Sequence, residues 1–211
     1  MQARPLIVCA APLEGRGLAD AVLGVGKSAA AMRATELLVR ARPEWLLLVG
    51  VCGAYPQAPG RPGLAVGDLC LVGEDRLADE GVGLAGGEFR GIASMGLGDE
   101  GPFRADPART EAMAARLQVP VVAGATVSTC SGSDDLSLAL AGRSGAQVET
   151  MEGAAVLQVC QHLGVPAVQL RCVSNRTGER TRAGWDLAGA AGRLDAAVRA
   201  LFSACGWERV G

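Results

Sequence analysis

The chain has 211 residues, 20 basic and 22 acidic, giving a formal net charge of -2; 49% are hydrophobic, 20% charged and 3% aromatic. That size and apolar content fit one domain with a sizeable core and exclude a disordered chain. The charge balance has no basic block and aromatics are scarce, so neither nucleic acid nor an anionic membrane is the implied partner.

The 7 cysteines form no C-x-x-C pair, and Cys9, Cys70, Cys160 and Cys172 sit inside apolar runs. Buried, reduced thiols and a cytoplasmic location are the expectation. The single histidine, His162, has no cysteine or carboxylate at ligand spacing, so no metal is expected. Nothing else in the sequence implies a cofactor. The apolar runs are too short to cross a bilayer, and Met1 to Glu14 lacks a basic start and a cleavage site.

In chain order, Pro5 to Ala10 reads as a buried strand, with Glu14 just past its carboxyl end. Asp20 to Val25 reads as a second strand. The G-V-G-K turn, Gly24 to Lys27, then leads into a helix over Ser28 to Arg40, a start that favours anions. It lacks the full spacing of a nucleotide-triphosphate loop. Pro43 ends the helix, Trp45 to Val49 is a third strand, and Gly50 to Tyr55 (G-V-C-G-A-Y) reads as a glycine-rich turn. Leu64 to Val72 suggests a bent strand entered through Gly67 and Asp68. Glu74 to Phe103 is the least regular stretch, and its length points to a functional loop.

Pro107 to Leu117 reads as a helix and Val119 to Ser128 as a strand. Ser128 to Ser133 (S-T-C-S-G-S) follows, with Ser133 as cap of a helix over Asp134 to Ala141. A short strand ends near Val148. Met151 to Leu163 is a helix apolar on nearly every side, and Gly164 and Pro166 stop it. Val165 to Val173 is a strand apolar enough to be covered on both faces. A crossover helix between the last two strands predicts a β-α-β unit whose carboxyl ends share one sheet edge, carrying Glu149, Met151, Glu152, Ser174 and Asn175. Arg176 to Trp185 is a polar connection, and Leu187 to Ala204 is a final helix with an apolar stripe. The fold class expected is α/β: one domain over residues 1–211, with a mixed, largely parallel central sheet flanked by helices.

Polar or glycine-rich turns thus follow at least five expected strands, and parallel strands bring them to one crevice. No Ser-His-Asp set is available. Two carboxylates and an amide, Glu14, Glu152 and Asn175, suit cleavage of an N-glycoside: one carboxylate takes a proton from water, and one stabilises an oxocarbenium-like sugar.

The elements E-x-M-E-G-A-A (Glu149 to Ala155), R-x-x-S-N (Arg171 to Asn175) and W-D-L (Trp185 to Leu187) resemble the purine nucleoside phosphorylase and nucleosidase superfamily. Within it they resemble the futalosine hydrolase family, nucleosidases of menaquinone biosynthesis, over about Ile7 to Ala190. That resemblance implies that Glu14 acts on the attacking water and that Met151 and Glu152 hold the ribose. It implies that the turn carrying Val51 and Gly53 lies against sugar and nucleophile. It further implies that Ser131 and Gly132 present main-chain groups to the base, which Asn175, beside Ser174, also recognises. The implied reaction releases hypoxanthine from futalosine. The implied ligand is a small nucleoside and the implied assembly a homodimer or larger homo-oligomer.

The alternatives are a phosphorylase or a methylthioadenosine-type nucleosidase of the same fold, and a non-catalytic nucleoside binder. Only about ten residues separate Glu14 from the G-V-G-K turn, where relatives carry a longer segment in which phosphorylases often find a phosphate-binding arginine; Arg16 lies nearby. Arg76, Arg90, Arg104, Arg176 and Arg180 are the candidates for holding futalosine's benzoate.

Overall fold

The computed structural model describes residues 3–56, 63–179 and 184–208. The first strand, β1 (Leu6–Cys9), leads through a one-turn helix, α1 (Pro12–Gly15), to β2 (Ala21–Val22) and the long helix α2 (Lys27–Ala41). Three strands build the middle: β3 (Leu46–Ala54), β4 (Leu69–Leu77) and, after a small hairpin β5 (Gly81–Gly83) and β6 (Phe89–Gly91), β7 (Phe103–Arg104). Then follow α3 (Pro107–Leu117), β8 (Val121–Thr126), α4 (Asp134–Ser144), β9 (Val148–Thr150), α5 (Gly153–Leu163), β10 (Ala167–Arg176) and α6 (Leu187–Cys205).

The main sheet runs β10-β4-β8-β9-β3-β1-β2, and β10 also pairs with β3. Five strands therefore close on themselves. Their interior is filled by small or branched side chains from all five, among them Cys52, Cys70, Val72, Val122, Val148 and Val173. Parallel pairings join β1 to β2 and β3, β3 to β10, β4 to β8, and β8 to β9. The sheet is mixed and largely parallel, as expected.

The run Leu46–Leu47–Leu48–Val49 shows why it is covered on both faces. Leu47 and Val49 join a core with Trp45, Leu194 and Leu201 under α6, while Leu46 and Leu48 join a second core with Ala34, Val156 and Leu157 under α2 and α5. Alternate side chains of a strand face opposite ways, so an unbroken apolar run requires helices on both sides. In α5, Ala154 to Leu157 and Cys160 are buried, and Gly164 ends the helix in the left-handed region at φ 68.

Several boundaries differ from the sequence expectation. Gly50 to Ala54 is not a turn but the continuation of β3, which stays paired with β10 as far as Arg176. The expected strand over Asp20 to Val25 shrinks to two residues. The expected irregular stretch begins as regular β4, because Glu74 to Leu77 pair with β8. The β-α-β expectation is also corrected: β10 is parallel to β3 while β9 is antiparallel to it. The strands flanking α5 thus do not run in one direction. Closure of the ring, rather than a common carboxyl edge, brings them together.

Candidate active site

A crevice of about 270 Å³ opens where β3, β9 and β10 meet. It is lined by Glu14, Val51, Gly53, Ser131, Met151, Glu152, Ser174 and Asn175, eight of the nine residues singled out from sequence. Gly132 is exposed and lies outside the lining. Of the arginines considered for the benzoate, Arg76, Arg90, Arg104 and Arg176 do not line it, and Arg180 falls outside the described residues.

Glu14 is the third residue of α1, and Pro12 presets that turn. Its Oε2 accepts from the N–H of Ala10 at 3.0 Å and of Ala11 at 2.8 Å, and its Oε1 accepts from the N–H of Val51 at 2.9 Å. The bond to Ala11 is half of a capping box. The third bond ties the loop after β1 to the middle of β3. One lone pair of Oε1 stays uncommitted.

Glu152 precedes α5 but makes no side-chain cap there. Its Oε1 instead accepts from the N–H of Gly26 at 2.9 Å, at the start of α2. The positive end of that helix, which the G-V-G-K turn was expected to offer to an anion, is thus occupied by a carboxylate of the same chain. Lys27 turns away to Asp79 at 2.5 Å and Glu80 at 2.6 Å. Burial raises the Glu152 carboxyl above its ordinary range, against the pull of Arg171 and of the Gly26 N–H.

Arg171 is the residue whose role sequence reasoning missed. It is 1% exposed; its Nη1 stands 3.9 Å from Glu152 Oε2 and donates to Val51 O at 3.2 Å. A Cβ on Gly50 would collide with Nη1 and come within 2.9 Å of Glu14 Oε1, so the guanidinium and the Glu14 carboxylate both lie against this one glycine. The Nε of Arg171 donates to Gln169 Oε1 at 2.8 Å, and Gln169 Nε2 donates to Asp75 at 3.1 Å. Asp75, also bonded by Thr126 and Thr150, is pushed up to about 6 by burial, against the pull of Gln169, Thr126, Arg171 and Thr150. The visible signal was a glutamine and an arginine inside A-V-Q-L-R-C-V, an otherwise apolar strand.

Asn175 follows a bulge in β10 between Val173 and Asn175, which turns its side chain into the crevice. Its Nδ2 donates to Arg176 O at 2.9 Å and its Oδ1 accepts from Ser174 Oγ at 2.9 Å. One N–H and one lone pair of the amide remain. Across the crevice, Glu149 accepts from the Ser131 N–H at 3.0 Å, from the Ser131 hydroxyl, and from the Tyr55 hydroxyl at 2.9 Å. Leu13, Val25 and Leu187 form an apolar, exposed rim, and Trp185 closes one side. Among the described residues, no lysine or arginine lines the crevice, and no group of side chains could hold a metal ion.

A family model described as the phosphorylase superfamily matches residues 10–204. A futalosine hydrolase of Thermus thermophilus is 37% identical over 202 residues, covering 93% of this chain and 86% of that protein. A 5'-methylthioadenosine/S-adenosyl homocysteine nucleosidase of Campylobacter jejuni superposes with a TM-score of 0.77 at 20% identity, covering 94% and 96% of the two chains. A futalosine hydrolase mutant of Helicobacter pylori superposes with a TM-score of 0.73 at 19% identity, covering 92% and 97%. At such identities the two structures show the shared fold.

Proposed function

The chain belongs to the phosphorylase superfamily, and on that footing we propose that it is a nucleosidase hydrolysing the N-glycosidic bond of futalosine to hypoxanthine and dehypoxanthine futalosine. The observation that carries this reading is the meeting of Glu14, Glu152 and Asn175 around one crevice, in a chain 37% identical to a futalosine hydrolase.

On this reading each side chain has its own part. Glu14, fixed by three backbone donors, keeps a lone pair with which to take a proton from water. Glu152 and Met151 hold the ribose, and the carboxylate stabilises the positive charge that develops as the bond to the base breaks. Arg171 fixes Glu152 from behind. Asn175 presents a donor to O6 and an acceptor to N7–H, the pattern of a 6-oxopurine leaving as its N7–H tautomer. One water is consumed: its oxygen joins the anomeric carbon and one of its protons passes to Glu14, while the C–N9 bond breaks with its electron pair leaving on the base; the base takes one proton at N7 from solvent, and Glu14 returns its proton to solvent.

Water, rather than phosphate, fits this crevice. The start of α2 is engaged by Glu152, Lys27 by two carboxylates, and the Arg16 side chain by Ala188 O at 2.8 Å. The apolar rim of Leu13, Val25 and Leu187 suits coverage by a second copy, and a symmetric homo-oligomer, most simply a dimer, is our reading of the assembly. Light scattering at micromolar concentration should give at least a dimer mass; a fully active monomer refutes it. All seven cysteines are free thiols, which fits a cytoplasmic setting.

The test of the reaction is base release from futalosine with and without phosphate. Hypoxanthine should appear at the same rate in both. Strict dependence on added phosphate would sink the hydrolase in favour of a phosphorylase.

A further inference from the structure

Asp75, Thr126, Thr150, Glu152, Gln169 and Arg171 form a buried polar cluster, none of them more than 4% exposed. Asp75 is at its centre. Its Oδ1 accepts from the Thr126 hydroxyl at 2.9 Å, and its Oδ2 from Gln169 Nε2 at 3.1 Å and the Thr150 hydroxyl at 3.4 Å. Replacing a buried charge by an apolar side chain of like volume is often neutral or stabilising, and burial pushes this carboxyl up to about 6. Stability of the ring therefore does not account for Asp75.

Two routes lead from Asp75 to Glu152. The first runs through the backbone. Glu152 gives α5 no side-chain cap. The first N–H groups of that helix are served by the threonines instead: Ala154 N–H donates to Thr126 Oγ1 at 2.7 Å and Gly153 N–H to Thr150 Oγ1 at 3.3 Å. A carboxylate of β4 thus caps α5 at one remove, and its charge meets the positive end of the helix. The peptide that joins Glu152 to Gly153 is thereby pinned.

The second route runs through side chains. Gln169 and Arg171 lie two apart on β10 and share a face. Gln169 Oε1 accepts from Arg171 Nε at 2.8 Å, while Arg171 Nη1 donates to Val51 O at 3.2 Å and stands 3.9 Å from Glu152 Oε2. Nη2 is buried with no hydrogen-bond partner among the described residues, so the bonds at Nε and Nη1 set the plane of the guanidinium. Arg171 Nε can only donate and an ionised Asp75 can only accept. One orientation of the Gln169 amide satisfies both, and Asp75 selects it.

We propose that Asp75 and Gln169 are positioning residues of the reaction: Asp75 fixes Glu152 by two routes, through the threonines at the start of α5 and through Gln169 and Arg171. This rests on the nucleosidase reading above, in which Glu152 holds the ribose. A misplacement of about 1 Å in such a group lowers the rate about 100-fold.

The test separates placement from folding. Gln169→Met keeps the volume of the side chain and removes both of its bonds. Well below the variant's Tm, kcat/KM for futalosine should fall about 10-fold or more, while the Kd of free hypoxanthine, which has no ribose, stays within about twofold. A second reading comes from Gln169→Glu with and without Asp75→Asn. Alone, Gln169→Glu sets two carboxylates against each other, and kcat/KM should again fall about 10-fold or more. Adding Asp75→Asn restores the charge of the pair, and the new carboxylate accepts from both Arg171 Nε and the new amide, so kcat/KM should return to within about threefold of wild type. A Gln169→Met protein within about twofold of wild type in kcat/KM overturns the proposal. So does a loss shared equally by hypoxanthine binding, or a folded double variant no better than Gln169→Glu. Wild-type cleavage of futalosine only with phosphate sinks the hydrolase instead, and the same variants still decide the placement, because the ribose is held in either reaction.

Discussion

Replacing Glu14 by glutamine keeps the shape of the side chain and removes its capacity as a base. The two carboxylate oxygens of Glu14 serve three backbone N–H groups, two on Oε2 and one on Oε1. An amide has one oxygen. It can keep both bonds to Ala10 and Ala11, but its NH₂ must then face the Val51 N–H, donor against donor. Leaving that buried N–H unpaired costs about 1–3 kcal/mol. In a chain of this size the loss corresponds to about 2–12 °C in Tm. Turnover should fall by about 100-fold or more, because the water loses its proton acceptor. The measurements are single-turnover release of hypoxanthine well below the variant's Tm, futalosine binding by calorimetry, and a thermal melt. Binding should survive while turnover collapses. Turnover within about threefold of wild type would place the base elsewhere, and an unchanged Tm would refute the three-donor grip.

Other expectations follow from neighbouring groups. In Gly153→Ala the new methyl would drive into the Gln169 amide, 2.8 Å from its Nε2, and into the Asp75 carboxylate. Overpacking and a weakened Asp75–Gln169–Arg171 chain should cost about 3–5 kcal/mol in urea unfolding, and a cost under about 1 kcal/mol would contradict the packing described. Asp75, raised from 3.8 to about 6 by burial, binds its proton more tightly when folded. Its contribution to stability is thus complete below pH 3.8 and lost as the pH rises through 6. Between pH 5 and pH 8 that loss is about 1.4 kcal/mol. Asp75→Asn should flatten the pH dependence of urea unfolding accordingly, and a variant keeping the wild-type slope would rule the assignment out. Asn175→Asp should narrow the preference in kcat/KM for futalosine over its 6-amino analogue by about 10-fold, since a protonated aspartate donates to N7 and its other oxygen accepts from an amino group. An unchanged ratio would mean that Asn175 does not read the base.

Periodicity and caps carried most of the fold. The all-round apolarity of Ala154 to Cys160 announces a buried helix, and Gly164 its end. The run Leu46 to Val49 announces a strand covered twice. The carboxylates at Glu14 and Glu152 were legible because each follows or precedes such an element. Ring closure was not legible. It depends on hydrogen bonds between β3 and β10, more than a hundred residues apart, and no local pattern encodes which strand lies beside which. For the same reason β9 was read as parallel to β10, and Gly50 to Ala54 as a turn, since glycine marks close approach as readily as a bend. The arginine behind the two carboxylates was visible as a charge in an apolar strand, but its partners come from β3 and the start of α5. Glu149 was noted beside the crevice, yet its place opposite Asn175 depends on two strand registers that sequence does not give.

The closed ring has a consequence for how copies of this protein can meet. A sheet with free ends offers unpaired backbone groups along its outer strands, and another chain can add to them. Here β3, β4, β8, β9 and β10 satisfy one another around a circuit. Among the described strands of this sheet, the outermost, β2 and β7, are two residues long each. So little edge gives an incoming strand almost no backbone to grip. Apart from the small β5–β6 hairpin, whose outer edges are free, association between copies is thereby left to side chains on helices and loops, which can be tuned residue by residue without touching the frame that holds the crevice.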